Sequence, residues 1–270
     1  MVSLLSINDL SVDYDTGDVK QKAVDGVSLE IPSQGHALGI VGESGSGKTT
    51  LGMCIMNLIE PPGKITSGRV EYMGADVLGM KSGELRKYRW GEVSMVYQSA
   101  MNSLSPVKTI SDHIIEVIRE HKKASKIDAR NKAVELLSKV GIKSERVDDF
   151  PHQLSGGMRQ RVVIAMALVL SPKILIADEP TSALDVVVQR QILSLLKEEA
   201  VENNLSLIFI THELAILSGM VDEVAVMHDG RIVEKGPIDK TLFEPEHPYT
   251  KMLVNSLLTL DSSPEALSSS

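Results

Sequence analysis

The chain has 270 residues, a formal net charge of −8 at pH 7 and 43% hydrophobic residues, a composition typical of a globular protein. The acidic balance argues against a general nucleic-acid-binding protein, because phosphate binding requires basic residues. No apolar run approaches the roughly 18 residues of a membrane-spanning helix, and the N-terminus lacks the features of a signal peptide. Cys54 is the only cysteine, so an internal disulfide is impossible and a reducing, cytoplasmic location is expected.

The first part of the chain is predicted to consist of strands around one strand–loop–helix unit. Alternating or continuous apolar runs predict strands at residues 4–14, 23–31, 36–41, 67–73 and 92–97. Helical spacing of apolar residues predicts a helix over residues 49–59, which we expect to end at Pro61-Pro62-Gly63.

The second part alternates strands and helices after a long helical segment. Residues 110–140 combine helical spacing with many charges, which predicts solvated helix faces, and residues 156–170 predict a buried helix. Strands are then predicted at residues 174–177, 205–210, 221–227 and 231–235, and helices at residues 186–199 and 213–219. This alternation implies a mostly parallel sheet covered by helices, so we predict an α/β fold.

The predicted organisation is one domain over residues 1–260. It would contain an N-terminal antiparallel β-subdomain and a helical subdomain, at about residues 99–170, inserted into the α/β core. The Ser-rich tail, residues 261–270, is expected to be disordered.

A phosphate-loop pattern, G-x-x-x-x-G-K-[ST], lies between a predicted strand and a predicted helix. The loop is Gly42-Glu43-Ser44-Gly45-Ser46-Gly47-Lys48-Thr49. Its backbone N–H groups would line an anion-binding nest at a helix N-terminus. Lys48 would reach the β- and γ-phosphates of a nucleoside triphosphate, Thr49 would bind Mg²⁺ and Thr50 would contact the α-phosphate. The alternative, a chance glycine-rich turn, is disfavoured by the flanking strand and helix.

Two carboxylates end the apolar strand predicted at residues 174–177. A carboxylate at such a position is costly to bury unless something compensates its charge. Asp178 is therefore a candidate Mg²⁺ ligand, and Glu179, just beyond the strand, a candidate acceptor of a proton from the attacking water. The alternative is an acidic pair in solvent, which the phosphate loop on the same chain disfavours.

Together with five shorter motifs, these residues resemble the nucleotide-binding domain of ABC transporters, in that family's order and across nearly the whole chain. The shorter motifs are Tyr14 at the adenine-stacking position, Gln98 at the Q-loop, Leu154-Ser155-Gly156-Gly157-Met158 at the signature, Ser182-Ala183-Leu184-Asp185 at the D-loop and His212 at the switch position. The resemblance implies a P-loop ATPase core that binds ATP and Mg²⁺.

The resemblance also implies a role for each motif. Glu179 would polarise the attacking water, His212 would contact the γ-phosphate, and Gln98 would sense the magnesium ion or the water. Ser155, Gly156 and Gly157 would complete the γ-phosphate site of a partner subunit, and Asp185 would lie beside the nucleotide. ATP would then hold two copies of the domain together until it is hydrolysed.

Taken alone, each short motif has a structural alternative. Tyr14 would serve as an ordinary strand aromatic and Gln98 as a loop amide. Asp185 would cap the helix that follows it, and His212 would cap a helix or lie satisfied in the core. Their joint order in the chain favours the functional interpretation.

Two segments resemble those of import ATPases for peptides, dipeptides and nickel. Residues 98–106 resemble the Q-loop region of that subgroup, and residues 244–251 (Glu-Pro-Glu-His-Pro-Tyr-Thr-Lys) resemble its C-terminal helix entry, although the latter would also serve to pack on its own domain. The resemblance implies import of oligopeptides or dipeptides, with nickel or an oligosaccharide as alternative cargo. Many members carry a C-terminal cysteine cluster resembling an iron–sulfur site; with Cys54 alone, no iron–sulfur cluster is expected here.

The resemblance further implies partners at the cytoplasmic face of the cell membrane, where the chain would be peripheral. The first is a second ATPase subunit, in a homo- or heterodimer. The others are transmembrane permease subunits, which would dock near residues 99–106, and an extracytoplasmic binding protein, which would act indirectly. Met101 and Leu104 are candidate permease contacts. No nucleic-acid partner is expected. The alternatives are a non-transport ABC ATPase, disfavoured by the lack of coiled-coil insertions and zinc cysteines, and an inactive regulatory subunit, disfavoured by the catalytic motifs.

Overall fold

The computed structural model describes residues 2–15, 17, 20–98, 103–182 and 184–261, with only the backbone for residues 257–261. The chain divides into two compact units, Met1–Leu78 with Ile208–Ser270, and Gly79–Leu207. The predicted single domain over residues 1–260, with its helical subdomain at about residues 99–170, stays a prediction. Of the tail expected to be disordered, residues 261–270, Asp261 is the last residue of a helix, and residues 262–270 lie outside the described residues.

The elements follow one another in an α/β order. The first unit begins with β1 (Leu5–Asp15), β2 (Lys20–Ile31), β3 (Ala37–Val41), α1 (Lys48–Ile55), β4 (Gly63–Tyr72) and β5 (Ala75–Asp76). The second unit contains α2 (Ser82–Tyr88), β6 (Val93–Val96), α3 (Ile110–His121), α4 (Lys126–Lys139), α5 (Gly156–Leu168), β7 (Ile174–Asp178) and α6 (Val186–Glu202). The chain then passes through β8 (Ser206–Thr211) back to the first unit, with α7 (Leu214–Leu217), β9 (Glu223–His228), β10 (Arg231–Pro237), α8 (Ile238–Phe243) and α9 (Pro248–Asp261).

The N-terminal strands form the predicted antiparallel sheet, in the order β2-β1-β4-β5. Leu5 of β1 pairs with Ile31 of β2 on one side and with Tyr72 of β4 on the other. The register of β1 against β2 shifts between residues 7 and 13, and Asp9 in this stretch adopts a positive φ of 49°. Such a bulge bends the strand and increases its twist.

The first unit also contains the strand that enters the phosphate loop. Residues 38–41 of β3 pair in parallel with residues 223–226 of β9, and β9 pairs with β10 in an antiparallel hairpin. The hairpin turn has positive φ at both central residues, Asp229 and Gly230, as a tight hairpin of this hand requires. The parallel pair confirms the α/β prediction.

Helix α1 ends earlier than the sequence predicts. It stops at Ile55, and Asn57 follows with a φ of 50°. Leu58 N–H donates to the carbonyl of Met53, and Asn57 N–H donates to that of Cys54. These two bonds form a left-handed helix cap that satisfies the last carbonyls. The expectation that the Pro61-Pro62-Gly63 breaker ends the helix is therefore wrong.

The second unit pairs two wholly buried strands and covers them with helices. Residues 93–96 of β6 pair in parallel with residues 174–177 of β7. The helical stretch predicted over residues 110–140 consists of two helices, because Ser125 accepts a hydrogen bond from Asp128 N–H and caps the start of α4. Among the described residues, no helix has both the length and the apolar character needed to cross a membrane.

Candidate functional site

The phosphate loop joins β3 to α1 in the first unit, as predicted. The ammonium group of Lys48 donates to the carbonyl oxygens of Gly42 at 2.8 Å and Glu43 at 2.7 Å, and its side chain is 6% exposed. A third contact, at 3.3 Å, joins it to the hydroxyl of Ser46. The loop thus wraps around a buried positive charge at a helix N-terminus, an arrangement suited to an anion.

The glycines of this loop are required by space as well as by conformation. A Cβ at Gly47 would lie 2.0 Å from the carbonyl oxygen of Ala23, and Gly47 has a φ of 101°. A Cβ at Gly42 would lie 2.1 Å from the carbonyl oxygen of Met227. Backbone atoms cannot yield as a flexible side chain can, so both positions exclude any larger residue.

Two distant segments of the first unit hold the loop. Gly230 N–H, in the β9–β10 turn, donates to the carbonyl of Ser46 at 3.1 Å. Glu43 N–H donates to the hydroxyl of Tyr249, in α9, at 3.0 Å. The Tyr249 ring stacks on His228, with centroids 3.9 Å apart. Sequence reasoning missed Tyr249, although residues 244–251 had been singled out, because these residues lie so far from the loop in sequence.

The remaining first-unit candidates lie at strand ends or at the helix start. Thr49 and Thr50 occupy the first turn of α1, and Thr49 is exposed. Tyr14 is half-buried in β1, paired with Gly63, and a Cβ on that glycine would lie 2.8 Å from the Tyr14 ring. His212 directly follows β8 and is exposed, so it is not a satisfied core histidine.

The second unit contains the two predicted carboxylates. Asp178 is the last residue of β7 and is fully buried. Glu179 follows with a φ of 49°, a conformation that costs a non-glycine residue about 1–2 kcal/mol. Both the N–H and the hydroxyl of Ser182 donate to the Glu179 carbonyl, which fixes this turn. The turn directs the Glu179 side chain out of the strand, where it is half-buried.

The signature residues begin α5. Ser155 is the N-cap and accepts a hydrogen bond from Met158 N–H. Gly157 packs so closely on α6 that a Cβ would lie 2.4 Å from Cγ1 of Val188. Gly156 beside it is half-buried. This packing is a second reason for glycine at position 157, which the motif alone did not reveal.

The segment before the signature is held by Arg146, a residue that sequence reasoning did not identify. Its guanidinium donates to Asp149 at 2.7 Å, to the carbonyl of Gln153 at 2.9 Å and to Sδ of Met158 at 3.4 Å. Arg146 therefore ties the turn at residues 144–146 to the start of α5.

Asp185 caps α6, since its side chain accepts a hydrogen bond from Val188 N–H at 3.0 Å. This confirms the structural alternative for Asp185, whereas its place beside a nucleotide stays a prediction. Ala183 of the D-loop lies outside the described residues.

Gln98 is exposed just after β6. Residues 99–102, including the candidate contact Met101, lie outside the described residues. The other candidate, Leu104, is only 6% exposed, whereas Val107 is 81% exposed. His113 holds this segment: its Nε2 accepts from Ser105 N–H, and its Nδ1 donates to the carbonyl of Thr109. Leu104 is therefore a core residue, and Val107 takes its place as the candidate contact.

The comparison with protein families decides the identification. The family model described as ABC transporter matches residues 24–182. This chain belongs to the ABC transporter family. The chain is accordingly an ABC-type ATPase, which confirms the resemblance drawn from the motifs.

Relatives of this ABC chain include transport ATP-binding proteins. The oligopeptide transport ATP-binding protein OppD of Bacillus subtilis (strain 168) is 46% identical over 265 residues, covering 97% of this chain and 74% of the relative. The dipeptide transport ATP-binding protein DppD of Escherichia coli (strain K12) is 42% identical over 270 residues, covering 99% of this chain and 82% of the relative.

A solved structure confirms the fold of the ABC chain. It is the dimeric, post-hydrolysis state of the ATP-binding cassette MJ0796 bound to ADP and Pi. The two chains superpose with a TM-score of 0.77 at 28% identity, over 87% of this chain and 98% of the other.

Cys54, the only cysteine, is buried. Burial raises the pKa of the Cys54 thiol to about 12, so it stays protonated at neutral pH.

The described residues include no cluster of three or more His, Cys, Asp or Glu that would hold a metal ion. The predicted magnesium ligands, Thr49, Gln98 and Asp178, are a hydroxyl, an amide and one carboxylate, the oxygen donors that Mg²⁺ uses together with water and phosphate.

Proposed function

We propose that this chain is the ATP-hydrolysing subunit of an ABC importer for oligopeptides or dipeptides. The observation that carries the proposal is its 46% identity, over 97% of the chain, to a protein named for oligopeptide transport. Dipeptide transport proteins at 42–44% identity support the same cargo class. Nickel or an oligosaccharide remains the alternative cargo.

The phosphate loop would bind the triphosphate of ATP. Lys48, already held by loop carbonyls, would neutralise charge on the β- and γ-phosphates, while backbone N–H groups of the loop other than that of Glu43 would face phosphate oxygens. Thr50 would contact the α-phosphate, and Tyr14 would stack on adenine.

The same site would take a magnesium ion. Two observations are consistent with a magnesium ion. The loop surrounds the buried ammonium group of Lys48, which suits phosphates, and Asp178 presents a hard carboxylate at a strand end. Thr49, Gln98 and Asp178 would hold the ion. When bound, it would supply charge neutralisation on the β- and γ-phosphate oxygens.

Glu179 would accept the proton of the attacking water, and His212 would orient the γ-phosphate. The exposed position of His212 beside a strand end supports this role, because the side chain is accessible to a ligand. Gln98 would sense the metal ion or the water and relay the state of the site to the segment that follows it.

A second ATPase subunit would complete each site. Ser155, Gly156 and Gly157, at the start of α5, would direct their N–H groups to the γ-phosphate bound by the partner subunit, and Asp185 would lie beside that nucleotide. The similarity to dimeric MJ0796 structures supports a dimer. ATP would join the two subunits, and its hydrolysis would separate them.

The dimer would act on transmembrane permease subunits from the cytoplasmic face of the cell membrane. Peptides would reach the permease from an extracytoplasmic binding protein, which would be only an indirect partner of this chain. The exposed side chain of Val107, close to Gln98 in sequence, supports docking of the permease at this segment.

Steady-state ATP turnover tests the catalytic assignment. Glu179→Gln removes the proton acceptor while keeping the size of the side chain, so turnover should fall by about 100-fold or more. Glu202→Gln, an exposed glutamate on α6, is the matched control and should turn over ATP like the wild type. Equal turnover by Glu179→Gln and the wild type would refute the role of Glu179.

A further inference from the structure

The C-terminal segment, residues 244–250, reaches the phosphate loop through one side chain. The hydroxyl of Tyr249 accepts the hydrogen bond of Glu43 N–H at 3.0 Å, although the residues are 206 positions apart in the chain. Tyr249 is only 7% exposed. This bond fixes Glu43, the second residue of the loop. The other end of the loop is held separately, because the Ser46 carbonyl accepts a hydrogen bond from Gly230 N–H.

The position of Tyr249 is itself determined by several contacts. Its ring stacks on His228, with an interplanar angle of 24°. Its own N–H donates to Nδ1 of His247 at 3.2 Å. The carboxylate of Glu234, on β10, accepts the N–H groups of Glu246 and His247, each at 2.9 Å. These contacts hold the segment that carries Tyr249 and so fix the position of its hydroxyl beside the loop.

Burial raises the pKa of the Tyr249 phenol, and the bond from Glu43 opposes that rise only in part. The hydroxyl therefore stays neutral at physiological pH and keeps its own proton. As a neutral group, it accepts from Glu43 N–H without placing a negative charge beside a loop that binds an anion.

We propose that Tyr249 is a positioning residue of the phosphate loop, through which the C-terminal segment sets the affinity for ATP. This inference rests on the proposed function, because it assumes that the loop binds the triphosphate. With Glu43 N–H fixed, the peptide planes that follow it are held ready for phosphate. Without the bond, nucleotide binding must order the loop, and that cost appears as weaker binding.

The proposal is tested with the full-length chain carrying Tyr249→Phe, which removes the acceptor and keeps the ring. The probe is a mant-labelled, non-hydrolysable ATP analogue with magnesium, and steady-state kinetics with ATP follow. A neutral hydrogen bond predicts a rise of about 3- to 10-fold in the Kd and the KM. The kcat should not change, since saturating nucleotide restores the ordered loop.

The matched control is Tyr88→Phe, which removes a buried tyrosine hydroxyl from the second unit. It should leave the Kd unchanged even if it lowers the melting temperature. Equal rises in the Kd for both variants, or no rise for Tyr249→Phe, would overturn the proposal. Failure of the wild type to bind the analogue would instead overturn the proposed function, and this inference with it.

A second pair of variants tests whether the stacking of His228 on Tyr249 positions the hydroxyl, with the hydroxyl itself intact. His228→Ala removes the stacking partner and should raise the Kd, whereas His228→Phe keeps an aromatic face and should restore wild-type affinity. If His228→Ala and His228→Phe bind the analogue equally well, the claim that stacking on His228 positions the Tyr249 hydroxyl is refuted.

Discussion

A Cβ atom at Gly157 would lie 2.4 Å from Cγ1 of Val188, so an alanine there would collide with Val188 where α5 packs on α6. Gly157→Ala should therefore force the helices apart and lower the free energy of unfolding by about 1–3 kcal/mol, as overpacked cores do. Urea denaturation followed by circular dichroism measures this loss. Gly157→Ala combined with Val188→Ala, which clears the space, should recover most of it.

The control for Gly157 is Gly83, a glycine of α2 with nothing within 4 Å of an added Cβ. Gly83→Ala should be neutral or stabilise the chain by up to about 1 kcal/mol, because alanine favours a helix. If Gly157→Ala proved as harmless as Gly83→Ala, the close approach of α5 and α6 would be wrong.

Crosslinking tests the permease-docking segment. Val107 is 81% exposed and Leu104 is 6% exposed, so Val107→Cys should crosslink to a cysteine in a cytoplasmic permease segment and Leu104→Cys should not. Cys54 is buried and protonated, so the natural thiol should contribute no background. Crosslinking through Leu104→Cys alone would contradict the orientation of this segment.

The Glu234 carboxylate predicts a pH-dependent contribution to stability. Burial alone raises the pKa of Glu234, but the hydrogen bonds it accepts, including those from Glu246 and His247 N–H, outweigh burial and hold its pKa below 4.5. A lowered folded pKa contributes stability above the unfolded value and loses it as the pH falls through the folded pKa. Glu234→Gln should therefore destabilise the chain at pH 7 more than at pH 4.

The measurement for Glu234 is the difference in the free energy of unfolding between wild type and Glu234→Gln across that pH range. Glu30→Gln, on an exposed edge of β2, gives the background effect of removing a carboxylate. A difference for Glu234 that stays constant between pH 4 and 7 would mean that its charge is not held by these bonds.

The sequence predicted the positions of the motif-bearing elements better than it predicted where helices begin and end. The phosphate loop, the strand ending at Asp178 and the signature helix all lie where their patterns place them, because each pattern is local. The end of α1 was misplaced because Asn57 supports a left-handed cap before the proline pair is reached. The helical stretch over residues 110–140 was not divided, since Ser125 is an inconspicuous cap between two charged segments.

Long-range contacts were beyond sequence reasoning. The bond between Glu43 and Tyr249 joins residues 206 positions apart, and no local pattern encodes it. The same holds for Leu104, whose burial depends on the folded unit rather than on its neighbours in the chain. Gly157 illustrates the mixed case, because its motif indicated glycine whereas its contact with Val188 required the structure.

The most direct test of the account is ATP turnover by the chain assembled with its permease and binding protein in lipid vesicles, with and without peptide. We expect the permease and an oligopeptide or dipeptide together to raise turnover, and Glu179→Gln to abolish it. Turnover that ignores the permease and peptide, or that rises only with nickel or an oligosaccharide, would contradict the claim that this ATPase powers peptide uptake.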